Sequence, residues 1–135
     1  LRVGYGVSSP ELADFLNRVR QPFNVNSLAL AAAEAALDDD NHVEQSRQMN
    51  QAGMNYLTEA CNRRGLSFIP SAGNFLAIDF LRPADALFQS MMQQGVIVRP
   101  ISNYGMPDFL RVTIGSEDEN RRFIEVLDKV FRADV

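Results

Sequence analysis

Past Gly65 the chain alternates short apolar runs with helical stripes, and this alternation limits the fold more than any other feature. "NFLAIDF", "VIVR" and "FLRVTIG" are too short for packed helices and rich in β-branched and aromatic residues, so they read as strands, with "LSFIP" before them. Between and after them lie two helices. One runs from Pro83 through Gln94 and ends at Gly95. The other opens at Ser116, with Glu119 completing a capping box. Leu87, Phe88, Met91 and Met92 on the first, and Phe123, Val126, Leu127, Val130 and Phe131 on the second, recur at helical spacing and predict cover for one face of a sheet. Residues 65–135 therefore read as a compact α+β lobe.

Upstream the texture is helical. Val3, Tyr5 and Val7 alternate with glycines and predict a strand that stops at Ser8-Ser9. Ser9 then reads as an N-cap with Pro10 at the first helical position, and Leu12, Phe15, Leu16 and Val19 form one apolar stripe. Pro22 breaks that helix, Asn26 or Ser27 caps the next, and "LALAAAEAALDD" continues it on alanine propensity. Asp38-Asp39-Asp40 suits a new helix N-terminus better than an old C-terminus, because the dipole is positive there. A long helix is expected from about Asn41 to Arg64, with Met49, Tyr56, Leu57, Ala60 and Cys61 inward and Gly65 as its C′ residue. The organisation is thus residues 1–40, a connecting helix over 41–64, and the lobe over 65–135.

Composition narrows the chemistry. With 46% hydrophobic residues and nine Phe the chain has the material for a core, and its net charge of −4 with scattered arginines offers no stripe for a phosphate backbone, so nucleic acid is not expected. No apolar run approaches the roughly 18 residues of a membrane span, and no signal-peptide pattern opens the chain, so a soluble protein without a membrane partner is expected. Cys61 is the one cysteine; it suits a reducing, cytoplasmic setting and a packing role, and with the single His42 it leaves too few ligands for zinc. His42, beside Asp39 and Asp40 near a helix start, has no local Ser or Cys to activate and reads as an exposed histidine. "GYGVSS" fails as a dinucleotide fingerprint, because Ser9 stands where the third Gly or Ala belongs and no acidic residue follows at the required distance.

Two arginines stand out. Arg99 closes one apolar strand and Arg111 interrupts another, at facing ends of strands joined by a Tyr104-Gly105-Met106-Pro107 loop. A lone strand arginine is usually a solvent-facing residue, whereas two such forks can converge on a carboxylate or phosphate. Asn74, after Gly73 and before "FLAIDF", is a further polar residue at a strand mouth.

Arg2 in "LRVGYG", the segment "RQPFNVNSLALAAAEAALDD", the "SAGNFLAIDF" strand and the run "GVIVRPISNYGMPDFLRVTIGSEDEN" together resemble the C-terminal part of histidinol-phosphate aminotransferase, a pyridoxal-phosphate enzyme family of fold type I. The resemblance covers essentially the whole chain. It implies an α/β fold whose small α+β domain carries a mainly antiparallel sheet covered by helices, preceded by a strand and helices belonging to the large cofactor-binding domain. It implies amino transfer between glutamate and imidazole-acetol phosphate in a homodimer. Arg2 matches the arginine that holds the cofactor phosphate, Arg111 the arginine that receives the substrate's anionic group, and Arg99 a second arginine near the substrate anion. Asn74 falls where the family places a polar residue at the mouth of the small-domain sheet. Asn24 and Asn26 in "FNVN" fall near the family's dimer interface.

In that family the Schiff-base lysine lies just upstream of the Leu-Arg pair with which this chain opens, and the one lysine here, Lys129, lies in the last helix. The chain is therefore expected to be a portion of a longer enzyme, with no catalytic residue of its own, no bound cofactor and no turnover by itself. Apart from the rest of such a fold, Val3, Tyr5, Val7, Phe15 and Leu16 are expected to find other cover by repacking or self-association, or to become mobile. Two other readings remain: an aminotransferase for an aromatic or other amino acid, and a non-catalytic binding module that shares the small-domain architecture.

Overall fold

A computed structural model describes residues 1–133. Five helices, α1 (Pro10–Val19), α2 (Ser27–Leu37), α3 (Asp40–Arg63), α4 (Ala84–Gln93) and α5 (Glu117–Ala133), accompany four strands. The strands β1 (Phe68–Ile69), β2 (Phe75–Asp79), β3 (Arg99–Pro100) and β4 (Phe109–Thr113) form one sheet in the order β1-β2-β4-β3. Every pairing is antiparallel, as expected. The chain divides into two compact units, Leu1–Gln45 and Ser46–Val135, so the division falls inside α3 and most of that helix packs with the sheet.

In the first unit the helix starts follow the predicted caps. Ser9 Oγ accepts the Leu12 N–H at 3.4 Å and Asn26 Oδ1 accepts the Ala29 N–H at 2.8 Å, each satisfying one donor that an α-helix leaves free at its start. The strand expected over residues 3–7 does not form: no described strand pairs with it, and an unpaired extended segment gains no ladder hydrogen bonds. The α1 stripe of Leu12, Phe15, Leu16 and Val19 is more than half exposed throughout, so it finds no cover within its own unit. This unit has no sheet to receive it.

The second unit holds the core. Strand periodicity puts Leu76 and Ile78 of β2, with their partners Val112 and Leu110 of β4, on one sheet face. All four are buried there against Leu87 and Met91 of α4 and Phe123, Val126, Leu127 and Val130 of α5. Leu57, Ala60 and Cys61 of α3 complete the cluster. Each large aliphatic side chain fully buried in it contributes about 1.5–3 kcal/mol. Three positions differ from expectation. Met49 and Met92 are exposed and Tyr56 lies at the margin, because they sit to the side of their helix stripes, and Gly53 and Met54 face inward on α3 instead.

The helix ends explain the glycines. Gly65 (φ +66°) and Gly95 (φ +79°) both occupy the left-handed position after their helices. Behind Gly65, the Leu66 N–H donates to Cys61 O at 3.1 Å and the Gly65 N–H to Asn62 O at 3.2 Å, the paired bonds of a Schellman ending. Val96 and Gly95 repeat the pattern onto Met91 O and Met92 O. The capping box of α5 forms as predicted, with the Ser116 N–H donating to Glu119 Oε2 at 2.8 Å and the Glu119 N–H to Ser116 Oγ at 3.4 Å. "VIVR" departs from its reading: only Arg99 and Pro100 pair with β4, while Val96–Val98 emerge from the Gly95 turn outside the ladder, with Val98 buried and Ile97 exposed.

Candidate functional site

The sheet has a second face, and its chemistry differs from that of the first. Because side chains alternate, Phe109, Arg111 and Thr113 of β4 point away from the helices, as do Phe75, Ala77 and Asp79 of β2. Register then decides which of them meet. Arg111 stands opposite Ala77 on one side and opposite Arg99 on the other. The small Ala77 leaves room beside Arg111, and Arg99 brings a second guanidinium to the same face.

Directly opposed like charges on an antiparallel pair are destabilising, so this arrangement is an electrostatic cost unless an anion lies between them. Among the described residues neither arginine has an ion pair. Arg111 is half-buried, its Nε is shut off from solvent without a hydrogen-bond partner, and its guanidinium carbon lies 5.1 Å from the centroid of the Phe75 ring. Such a group presents an unsatisfied planar fork, suited to a carboxylate or phosphate.

Arg111 lines a cavity of about 520 Å³. Its other walls are Ile69, Phe75 and Ala77 of the sheet, Ser71 of the loop before β2, and Ile101, Tyr104 and Met106 of the β3–β4 connection. That connection is built to stay in place. A 3₁₀ turn over Ser102–Tyr104 ends at Gly105 (φ +75°), and Pro107 O accepts the Ala84 N–H at 3.0 Å, which ties the loop to the start of α4. The cavity has no acidic residue in its lining. Its character is therefore a single cation in an apolar and aromatic wall, with Arg99 close by on the open face.

Other concavities lack this character. A space of about 570 Å³ between Val96–Val98 and the start of α5 carries Asp118 and Glu119, and its one arginine, Arg122, donates to Gln94 O at 2.9 Å. Asn74 is exposed at the entry to β2, where its backbone carbonyl accepts the Ile114 N–H at 2.8 Å. It precedes the strand and does not line the Arg111 cavity. Arg2, exposed and at φ +57°, belongs to the first unit. Sequence reading missed Ile69, Ser71, Phe75, Ala77 and Ile101 as lining residues; for Phe75 and Ala77 the signal was their two-residue parity with Arg111 once β2 and β4 are paired, a register the sequence did not supply.

Comparison with known proteins gives the family. The model of the family "Aminotransferase class I and II" matches residues 1–127. The chain belongs to that family. Histidinol-phosphate aminotransferase 2 of Pseudomonas fluorescens (strain Pf0-1) is 60% identical over 130 residues, which are 96% of this chain and 35% of that protein. Histidinol-phosphate aminotransferase 1 of Nitrosococcus oceani is 56% identical over 130 residues, again 96% of this chain and 35% of the relative. This aminotransferase chain thus spans about a third of the length of the curated relatives it matches. Two solved structures share its fold. Histidinol-phosphate aminotransferase from Sinorhizobium meliloti, in complex with pyridoxal-5'-phosphate, superposes at a TM-score of 0.83 with 23% identity, covering 93% of this chain and 35% of that one. The enzyme of the same name from Clostridium acetobutylicum gives 0.80 at 24% identity, covering 89% and 37%.

The residues of this aminotransferase chain fit a pyridoxal phosphate only in part. Arg2 offers a guanidinium without a described acidic partner, a donor set suited to a phosphate. Lys129 does not suit the cofactor's aldehyde: it is exposed on α5, the helix that covers the opposite face of the sheet from Arg111.

Proposed function

We propose that this chain is the C-terminal, substrate-side portion of a histidinol-phosphate aminotransferase, serving histidine biosynthesis by amino transfer between glutamate and imidazole-acetol phosphate. The observation that carries this reading is the Arg99–Arg111 pair, directly opposed on the free face of the sheet beside an acid-free, aromatic-walled cavity. Arg111 forks the substrate's anionic group, Arg99 adds a second guanidinium to the same dianionic phosphate, and the wall of Ile69, Ile101 and Tyr104 takes the flat ring. Pyridoxal phosphate, when bound, supplies the aldehyde that carries the amino group. Arg2 is the residue here that would hold its phosphate, and Asn74 is carried as a polar residue at the edge of the substrate site. The first unit then belongs to a large cofactor-binding domain, with its exposed α1 stripe covered by the rest of a longer chain or by a second subunit of a homodimer. The buried, unpaired Cys61 suits a cytoplasmic location.

The test is amino transfer from glutamate to imidazole-acetol phosphate by the full-length gene product, with and without Arg111→Ala. An unchanged kcat/KM in the variant defeats the reading. Because Lys129 is placed away from the Arg111 face, the 135-residue chain alone is expected to bind no cofactor; a visible cofactor absorbance that survives dialysis would contradict this.

The aromatic lining of the cavity favours one second reading, an aminotransferase for an aromatic amino acid without a phosphate. Equal or better rates with phenylpyruvate than with imidazole-acetol phosphate would select it.

A further inference from the structure

We propose that Phe75 is a positioning residue for substrate recognition, holding the Arg111 guanidinium at a fixed plane so that its fork faces the cavity. The inference rests on the proposed role of Arg111 as the anion receptor.

Three observations carry it. Phe75 shares the parity of Ala77, the direct partner of Arg111, and so stands diagonally across the β2–β4 pair from the arginine, within reach of an aromatic side chain. Its ring centroid lies 5.1 Å from the Arg111 guanidinium carbon, inside the range of a cation–π contact. The Arg111 Nε beside it is buried without a hydrogen bond, so among the described residues no carboxylate fixes this guanidinium. Arg64, by contrast, is fixed by two 2.7 Å bonds to Asp128. A ring does for Arg111 what a carboxylate does for Arg64, without neutralising the charge or occupying the fork.

Packing does not account for Phe75. It is 37% exposed and lies outside the core cluster, on the sheet face without helices. An aromatic left there gains less from burial than one in the core, whereas a cation resting on its ring gains from a partly dry environment.

The experiment uses the full-length gene product, with Phe75→Leu, Phe75→Tyr, Arg111→Gln and the Phe75→Leu/Arg111→Gln double variant. Phe75→Leu is expected to raise KM for imidazole-acetol phosphate about three- to tenfold, the size of one partly desolvated cation–π contact. Its kcat should stay within about twofold, because the ring touches no reacting atom. Phe75→Tyr keeps a π-face and should restore the KM. In the Arg111→Gln background, Phe75→Leu should add nothing, since the two act as one unit. An Arg111-dependent enzyme whose KM ignores Phe75→Leu, or in which Phe75→Leu acts equally with and without Arg111, overturns the proposal. Indifference of KM to Arg111→Gln overturns the underlying reading of the site, and this inference with it.

Discussion

Arg99 and Arg111 are direct cross-strand partners on the free face of an antiparallel sheet, two cations brought side by side without a described acid between them. The neighbouring cavity supplies apolar and aromatic surface and no carboxylate. Like charges held side by side in this way are a cost that a bound anion would relieve, which is the premise of the proposed function.

Arg111 is the central test. In the full-length enzyme Arg111→Lys should lower kcat/KM by about ten- to a hundredfold, because a lysine keeps the charge and loses the bidentate fork, a difference of about 1.5–3 kcal/mol. Steady-state kinetics with the keto phosphate check this, and near-normal activity of the lysine variant would show that charge alone suffices.

Arg99 should set substrate preference. Arg99→Gln is expected to reduce kcat/KM for imidazole-acetol phosphate by about tenfold or more while changing the value for phenylpyruvate little, since a dianionic phosphate accepts from two guanidinium forks whereas a single carboxylate is filled by one. The ratio of the two specificity constants is the readout, and a ratio that does not move assigns the phosphate elsewhere.

Gly53 pits helix propensity against packing. Alanine is favoured over glycine inside a helix by about 1 kcal/mol. At this position, however, an added Cβ would stand 2.5 Å from Ile114 Cγ2 and 2.7 Å from Asn120 Nδ2. Asn120 is buried, accepting the Gly115 N–H at 3.0 Å and donating to Gly115 O at 2.9 Å, so it has little room to yield. Gly53→Ala should therefore destabilise by about 1–3 kcal/mol, seen as a lower Tm. A rise in Tm would mean that the α3–α5 contact is looser than it stands.

Glu119 links the α5 cap to pH. The Ser116 backbone N–H, and then its hydroxyl, hold the Glu119 carboxyl below its ordinary value of 4.5. A depressed folded-state pKa contributes stability that is complete above the unfolded value and is lost as pH falls through the folded one. The Tm advantage of the parent over Glu119→Gln should thus be present at neutral pH and shrink as pH falls below the ordinary carboxylate value of 4.5 and through the lower folded-state value. A difference constant down to pH 3 would assign the cap's contribution to hydrogen-bond geometry alone.

Cys61 should be chemically silent. It is fully buried, and burial pushes its thiol up to about 11 despite the opposing influence of Arg64. At pH 8 a thiol reagent should label it only at the rate of opening or unfolding, and denaturant should make it fully reactive. Rapid labelling of the native protein would contradict the packing of α3 against the sheet.

Much of this was legible in local sequence. Ser9, Asn26, Ser116 with Glu119, Gly65 and Gly95 mark helix ends because capping and left-handed turns depend on residues within a few positions of one another. The stripe from Phe123 to Val130 declares its buried face for the same reason. The family-like arrangement of Arg99 and Arg111 could also be read, as two cations near strand ends. What the sequence could not supply is long-range: that Arg111 falls opposite Arg99 and Ala77 and not one residue along, that Phe75 faces the site while Asn74 does not, and that residues 3–7 have no ladder to join. Strand register inverts every side chain with a one-residue shift, and it is settled by packing between segments distant in sequence. Local chemistry thus determined the helices, their ends and the residue types available for anion binding; only the tertiary pairing of β2, β3 and β4 decided which of them share one face.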